Sequence, residues 1–282
     1  MVSSNVLDIG ELIEFVRTRH GIDFSKYRCS CLRRRVWHRM AQLSCRNLDD
    51  YLDRLREAPG EIDELLDTVT IHVTEFFRDS DVFEAITKKV FPGLVERKRM
   101  SGYNTIRVWS AGCSTGEEAY SIAILLDHLI QKETLPLGIE VFGTDVSEDS
   151  CSVARAGIYS ESKVKYVPPH ILRPRYFQTC SDGYRISDRI RRNVKFIVHD
   201  LFSKSPFTML DLVVCRNVLI HFNHSVRDDV IGNFGASLNE RGILILGKCE
   251  AVTSKGMEIF ELVVPRSKIY RKRLNPIRFE EV

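Results

Sequence analysis

The stretch from Arg107 to Ala123, RVWSAGCSTGEEAYSIA, constrains this chain more than any other. Arg107-Val108-Trp109 reads as a short strand, Ser110 to Gly116 as a turn of small residues, and Glu117 to about Gln131 as an amphipathic helix. A strand, a tight loop and a helix in that order belong to a parallel sheet of the α/β class. Gly112 and Gly116 allow positive φ and close approach of another group, and the helix behind them turns its unpaired N–H groups toward the loop.

Such a loop invites comparison with phosphate cradles, and it matches neither common form. Counted from Gly112, a dinucleotide fingerprint needs glycines where Ser114 and Glu117 stand, and a P-loop needs Lys where Glu117 follows Gly116. Glu117 and Glu118 beside the loop would repel a triphosphate. Two readings satisfy the stretch: a pocket for a cationic or neutral adenosine ligand such as S-adenosylmethionine, and a turn that only closes the sheet.

The strands downstream favour the pocket. Gly138 to Thr144 reads as a buried strand ending on Asp145, Val194 to Val198 as a third closing on His199-Asp200-Leu201, and Leu210 to Val214 as a fourth closing on Cys215-Arg216-Asn217. Polar residues thus follow the carboxyl ends of successive strands, where open α/β sheets form their ligand crevice. An acid ending the second strand, here Asp145, suits the hydroxyls of a ribose. Ser225 to Leu238 reads as a further helix, Gly242 to Leu246 as a fifth strand, and Phe260 to Val264 with Lys268 to Arg271 as a closing antiparallel pair.

The first 80 residues follow a helical pattern. Val6 to His20, Cys31 to Leu43, Leu48 to Glu57 and Glu61 to Val69 are expected helices, with Ser30 and Asn47 as caps for the second and third. Nine Lys/Arg stand against one acid between Arg17 and Arg46, and eight acids against two arginines between Asn47 and Asp67. The basic helix suits a solvated face or a docking surface for an acidic helical partner. Nucleic acid is disfavoured, because aromatic side chains are not regularly interleaved in the block. Thr70 to Asp79 joins the helices to the sheet domain, with Phe76 and Phe77 expected to pack and Arg78 to need a carboxylate partner or an exit to water. Val82 to Glu96 reads as a helix interrupted at Phe91-Pro92.

Several classes are excluded or disfavoured. No apolar run approaches the roughly 20 residues of a membrane span, and the start MVSSNVLDIGELIEF lacks the basic region and apolar core of a secretory signal, so a cytoplasmic protein is expected. The eight cysteines show no CxxC pair and no metal-like spacing, which reads as reduced thiols and no metal site. DNA and RNA amino-methyltransferases usually place Asn/Asp-Pro-Pro-aromatic after the fourth strand, whereas Arg216-Asn217-Val218-Leu219 contains no proline, which counts against a base-modifying enzyme.

Taken in order, TIHVTEFFRD from Thr70, VWSAGCSTGEEAYSIA, FGTDVS, ARAGIY from Ala154, DLVVCRNVLIHF from Asp211 and the turn from Gly247 to Glu250 resemble the chemotaxis receptor methyltransferases, the CheR family. The resemblance spans nearly the whole chain. It implies a Rossmann-like S-adenosylmethionine-dependent methyltransferase fold, with a small all-α N-terminal domain at 1–80, a catalytic domain at 81–282 and a small antiparallel β excursion at about 173–193. The implied reaction is methyl transfer from S-adenosylmethionine to protein glutamate side chains, leaving S-adenosylhomocysteine. The implied cofactor contacts are His72, Thr74, Arg78, Glu118, Asp145, Asp200, Leu201, Asn217 and Val218, beside Gly112 of the loop. Arg78 is expected to orient a carboxylate and His221 to line the methyl channel.

The implied partners are the cytoplasmic helices of chemoreceptors, docking on the basic helix 31–43, with the enzyme a monomer and no nucleic acid bound. Tyr176 to Thr179 and Tyr184 to Ile186 read as a hairpin about Asp182-Gly183, and its loop is too short for the receptor-tail tethering of some family members. His72, Ala119, Asp200, His221 and Lys248-Cys249 depart from residues common in the family. A catalytically weak binding or docking module and, less favoured, a nucleic-acid methyltransferase are the alternatives.

Overall fold

Apolar spacing in the N-terminal third builds four helices around a shared stripe: α1 (Gly10–His20), α2 (Cys29–Gln42), α3 (Leu48–Glu57) and α4 (Glu61–Val69). These coordinates are a computed structural model describing residues 8–70, 74–165, 167–168 and 175–274. The chain divides into two units, residues 1–72 with 221–226 and residues 73–220 with 227–282.

In the first unit Leu32, Val36 and Met40 of α2 are buried at the expected i, i+4, i+8 spacing. The helix starts at Cys29, so Ser30 lies inside it and does not cap it, contrary to expectation. The earlier start follows from Arg28, whose carbonyl accepts from the Cys31 and Leu32 N–H groups while its own N–H donates to the His221 carbonyl at 2.8 Å. Asn47 does cap α3, its side chain accepting from the Asp50 N–H at 2.8 Å. The segment from His221 packs here because Phe222 pairs with Tyr27 in an isolated antiparallel bridge, their rings edge to face at 5.5 Å. Asn223 adds bonds to the carbonyls of Lys26 and Ser25.

The second unit is built on a seven-stranded sheet. Its strands are β1 (Thr105–Ala111), β2 (Gly138–Asp145), β6 (Val194–Val198), β7 (Leu210–Cys215), β8 (Leu238–Leu246), β9 (Phe260–Val264) and β10 (Ile269–Lys272), in the order β6-β2-β1-β7-β8-β10-β9. The first five in that order run parallel, and β10 and β9 close the edge antiparallel. β1 is longer than the expected Arg107–Trp109 because every residue from Thr105 to Ala111 finds a partner on β2. The helix α7 (Glu117–Lys132) packs its buried face, Ile122, Ile124 and Leu126 included, into the core with Val108, Val141 and Leu212.

Ahead of the sheet, α5 (Ser80–Ala85) passes through one π turn, Ile86–Val90, into α6 (Phe91–Ser101). Pro92 lies in the first turn of α6, where its missing N–H disturbs only the preceding ladder, so the helix continues past the expected end at Glu96. After β2, α8 (Glu148–Ala156) is capped by the Ser147 side chain and ends at Gly157 in the left-handed region. A separate sheet holds β3 (Ile158–Tyr159), β4 (Phe177–Cys180) and β5 (Gly183–Ile186) in the order β3-β5-β4. The hairpin read at Asp182-Gly183 is present, and Gly183 is demanded there: its φ is +127° and a Cβ would sit 2.4 Å from the Tyr159 carbonyl. Among the described residues no helix is long and apolar enough to cross a membrane.

Candidate active site

Parallel pairing of β6, β2, β1 and β7 brings the segments after their carboxyl ends to one edge of the sheet. Gly112 leaves β1 with φ +72°, and its N–H and that of Cys113 both donate to the Thr144 carbonyl at 2.8 Å, which pins the loop against β2. A Cβ on Gly112 would lie 2.5 Å from Cγ2 of Val218. Two positions far apart in sequence are therefore in direct contact, and only glycine permits it.

Of the other expected cofactor positions, the two acids that follow strand ends are held by backbone amides. Asp145 is buried at the end of β2, its two oxygens accepting from the N–H groups of Ser114 at 2.8 Å and Ser147 at 3.1 Å, so it shapes the glycine loop itself. Asp200 is exposed after β6 and accepts from the Phe202 N–H at 2.9 Å, and Leu201 beside it is buried. Asn217 adopts φ +62°. Thr74 is half-buried, with its carbonyl taken by Lys163 Nζ at 2.8 Å. Arg78 is half-buried in a turn whose neighbours Phe77 and Asp79 both hold positive φ, 56° and 58°. Phe76 is buried edge-on to Tyr159 and Phe177, and the Phe77 N–H donates to Ser121 Oγ, so packing on both sides sustains the strain. His72 lies outside the described residues. His221 belongs to the helical unit, where burial and the charges of Arg35, Arg28 and Arg34 push its imidazole below the usual histidine range.

The charged groups show what this edge can do. Glu118, in the first turn of α7, is 12% exposed; Ser110 Oγ donates to one oxygen at 2.8 Å and Arg216 Nη1 to the other at 3.3 Å. Burial pushes its carboxyl above the usual range, opposed by Arg216 and Ser110. The second Nη of Arg216 pairs with Asp79, and Lys248 Nζ lies 3.4 Å from Asp79 and 2.7 Å from Asp81. Glu250, buried under the turn after β8, accepts from the N–H groups of Gly247 at 2.6 Å, Asn217 at 2.9 Å and Ile220 at 3.3 Å. Burial raises its carboxyl too, against those amides.

Arg216, Asp79, Lys248 and Glu250 were not among the site residues read from the sequence. The one available signal was physical: an arginine directly after an apolar strand, or an acid in a short turn, must find a partner once buried. A glycine cradle with a nearly buried carboxylate beside it fits a ligand of positive or neutral charge and opposes a polyphosphate. Among the described residues no group of three or more His, Cys, Asp or Glu could hold a metal ion.

Comparison with known proteins agrees with this geometry. Residues 7–70 match the CheR methyltransferase all-alpha domain and residues 72–268 the CheR methyltransferase SAM binding domain. A Pseudomonas putida protein carrying the name methyltransferase Cher3 is 37% identical over 274 residues, covering 94% of this chain and 97% of its own. The chemotaxis protein methyltransferase of Borreliella burgdorferi is 29% identical over 269 residues, with 94% of each chain covered. A Pseudomonas aeruginosa protein, named probable biofilm formation methyltransferase WspC, is 30% identical over 265 residues, covering 91% of this chain and 60% of its own. With an all-α unit, a glycine-cradled sheet edge and both family domains matched over residues 7–70 and 72–268, the chain belongs to the CheR methyltransferases, a family of S-adenosylmethionine-dependent enzymes.

Proposed function

We propose that this enzyme methylates glutamate side-chain carboxylates of chemoreceptor-type signalling proteins. The observation that carries the reading is the nearly buried Glu118 beside the Gly112–Val218 contact, an anionic cradle at the sheet edge of a chain whose relatives include a chemotaxis protein methyltransferase. Gly112, Glu118, Asp145, Asp200, Leu201, Asn217 and Val218 would hold S-adenosylmethionine, with Thr74 and Arg78 from the turn before α5. The bound cofactor supplies a methyl group activated by its sulfonium.

The protein's part in the chemistry is placement. A glutamate with a pKa near roughly 4.3 is already an anion at neutral pH, so no general base is required. Both reacting charges vanish as the methyl moves, and a site that excludes water favours that loss. Arg78 orients a carboxylate in the strained turn, and the role of lining the methyl path that the family resemblance implies for His221 rests on that resemblance alone. Near-normal turnover of Arg78→Ala or His221→Ala would remove that residue from the scheme.

Docking uses α2. Not all its cations are available, since Arg39 is engaged by Glu61 and Glu64 and Arg35 by the Thr68 carbonyl. Arg28, Arg34, His38 and Trp37, the last 62% exposed, remain on the outer surface and suit an acidic helix. The loop joining β4 to β5 is only Ser181-Asp182, which supports docking through the helix without a tail tether.

The test is transfer of labelled methyl from S-adenosylmethionine to a chemoreceptor signalling fragment, followed by alkali. A glutamate ester releases its label as methanol. Retention of label in alkali, or no transfer by enzyme that binds the cofactor, would overturn the assignment.

A further inference from the structure

An arginine side chain only 2% exposed survives inside a protein through its partners, and those of Arg216 form an ordered chain of alternating charge. Lys248 bonds Asp79, Asp79 bonds Arg216, Arg216 bonds Glu118, and Ser110 closes the row on the far oxygen of Glu118. The Arg216 guanidinium also lies 5.7 Å from the Phe83 ring, and its Nε is buried with no hydrogen-bond partner among the described residues. The side chain is therefore fixed by its two carboxylates and the ring, and it has little freedom to leave Glu118. A nearly buried carboxylate tends toward its neutral form, and a neutral Glu118 offers no ion pair to a cation.

We propose that Arg216 is a positioning residue that keeps Glu118 ionised and aimed, so that selection of a cationic nucleoside over a neutral one at this sheet edge depends on it. The inference rests on the reading above that Glu118 faces the cofactor. Asp79 holds the other Nη of the same guanidinium, and Lys248, paired with Asp81 at 2.7 Å, also reaches Asp79 at 3.4 Å. The turn holding Arg78 and Asp79 is thereby connected to the charge state of the pocket.

The experiment measures affinities of the full chain for S-adenosylmethionine and for 5′-methylthioadenosine, a neutral nucleoside without the sulfonium or the amino-acid end, across a pH series. In the unsubstituted protein, binding of S-adenosylmethionine weakens as pH falls through the Glu118 titration, by about tenfold per pH unit, while the neutral nucleoside is little affected. Arg216→Met moves that midpoint upward by about one pH unit or more and costs about tenfold or more in S-adenosylmethionine affinity at a pH below the original midpoint, leaving the neutral nucleoside within about twofold. Arg216→Lys, which keeps the charge, returns the midpoint toward its original value. Asp79→Asn keeps a hydrogen-bonding partner for the second Nη while removing a negative charge, and leaves the midpoint unchanged or lower.

Equal weakening of both ligands in Arg216→Met, an unmoved midpoint, or an upward shift in Asp79→Asn would overturn the proposal. Should Arg216→Met not fold by thermal melting, Arg216→Lys and Asp79→Asn carry the test: the midpoint must stay within a small shift in the first and must not rise in the second. If the unsubstituted protein takes up neither ligand, the functional reading itself fails. If it binds both and only the substitutions behave otherwise, this inference alone fails.

Discussion

Gly112 is the residue where backbone, packing and ligand requirements coincide. Its φ of +72° disfavours any side chain, and the Val218 methyl at 2.5 Å from the missing Cβ means that alanine would have to displace the loop after β7 as well. Gly112→Ala is expected to cost about 1–3 kcal/mol of stability and, because Val218 moves with it, to lose cofactor affinity out of proportion to the fall in melting temperature; calorimetric titration beside a thermal melt checks both. Glu250 works on the same loop from below. Its Oε2 accepts from both Asn217 and Gly247 and its Oε1 from Ile220, so Glu250→Gln must turn an amide N–H toward at least one of these donors. A loss of about 1.5–3 kcal/mol is expected in chemical denaturation, with weaker S-adenosylmethionine binding and no change in the helical unit.

At the level of elements, much of this molecule was legible because strands that end in polar residues and helices that begin at good caps are local statements. Asn47 before α3 and the Asp182-Gly183 hairpin appear where the sequence placed them. What escaped reading depends on pairing across long separations. Arg216 and Asp79 lie 137 residues apart, and nothing near either names the other. The attachment of His221–Val226 to the helical unit rests on Phe222 finding Tyr27, and the start of α2 at Cys29 rests on the Arg28 bond to His221. Asn47→Ala tests the local kind of determinant: loss of the bond to the Asp50 N–H should cost about 1 kcal/mol in a thermal melt, leaving cofactor binding intact. Glu61 tests the other kind, since it joins α4 to Arg39 of α2 and Tyr51 of α3. Burial acts to raise its carboxyl, but Arg39 and Tyr51 more than offset this and hold it below the usual range. The stabilisation is therefore present above the unfolded carboxyl value of 4.5 and is lost as pH falls through the lower folded value. Glu118 and Glu250, both raised, act in the opposite sense, favouring the folded state most below 4.5 and losing that advantage as pH rises through their folded values. Glu61→Gln should flatten the acid side of the helical unit's melting profile, measured by circular dichroism across pH.

For the whole molecule the net charge of +3 is too small to direct an encounter, so any steering must come from its uneven distribution. Nine cations against one acid between Arg17 and Arg46 are followed by an acidic block whose Glu61 and Glu64 neutralise Arg39, while Arg34 on α2 and Arg28 just before it stay exposed, as does Trp37. Steering by such a local patch changes how often an acidic receptor helix arrives productively and leaves the chemical step alone. Raising salt from low ionic strength, which shortens the Debye length toward about 8 Å near 0.15 M, should thus lower kcat/KM for receptor fragments while kcat at saturation stays level. Arg34→Glu should lower kcat/KM by about tenfold and reduce its salt dependence. Arg266→Glu makes the same change in net charge at an exposed site outside the helical unit and should leave kcat/KM within about twofold. Equal losses in the two variants would mean that overall charge matters and not the helix, and a fall in kcat with Arg34→Glu would move that arginine from encounter to chemistry.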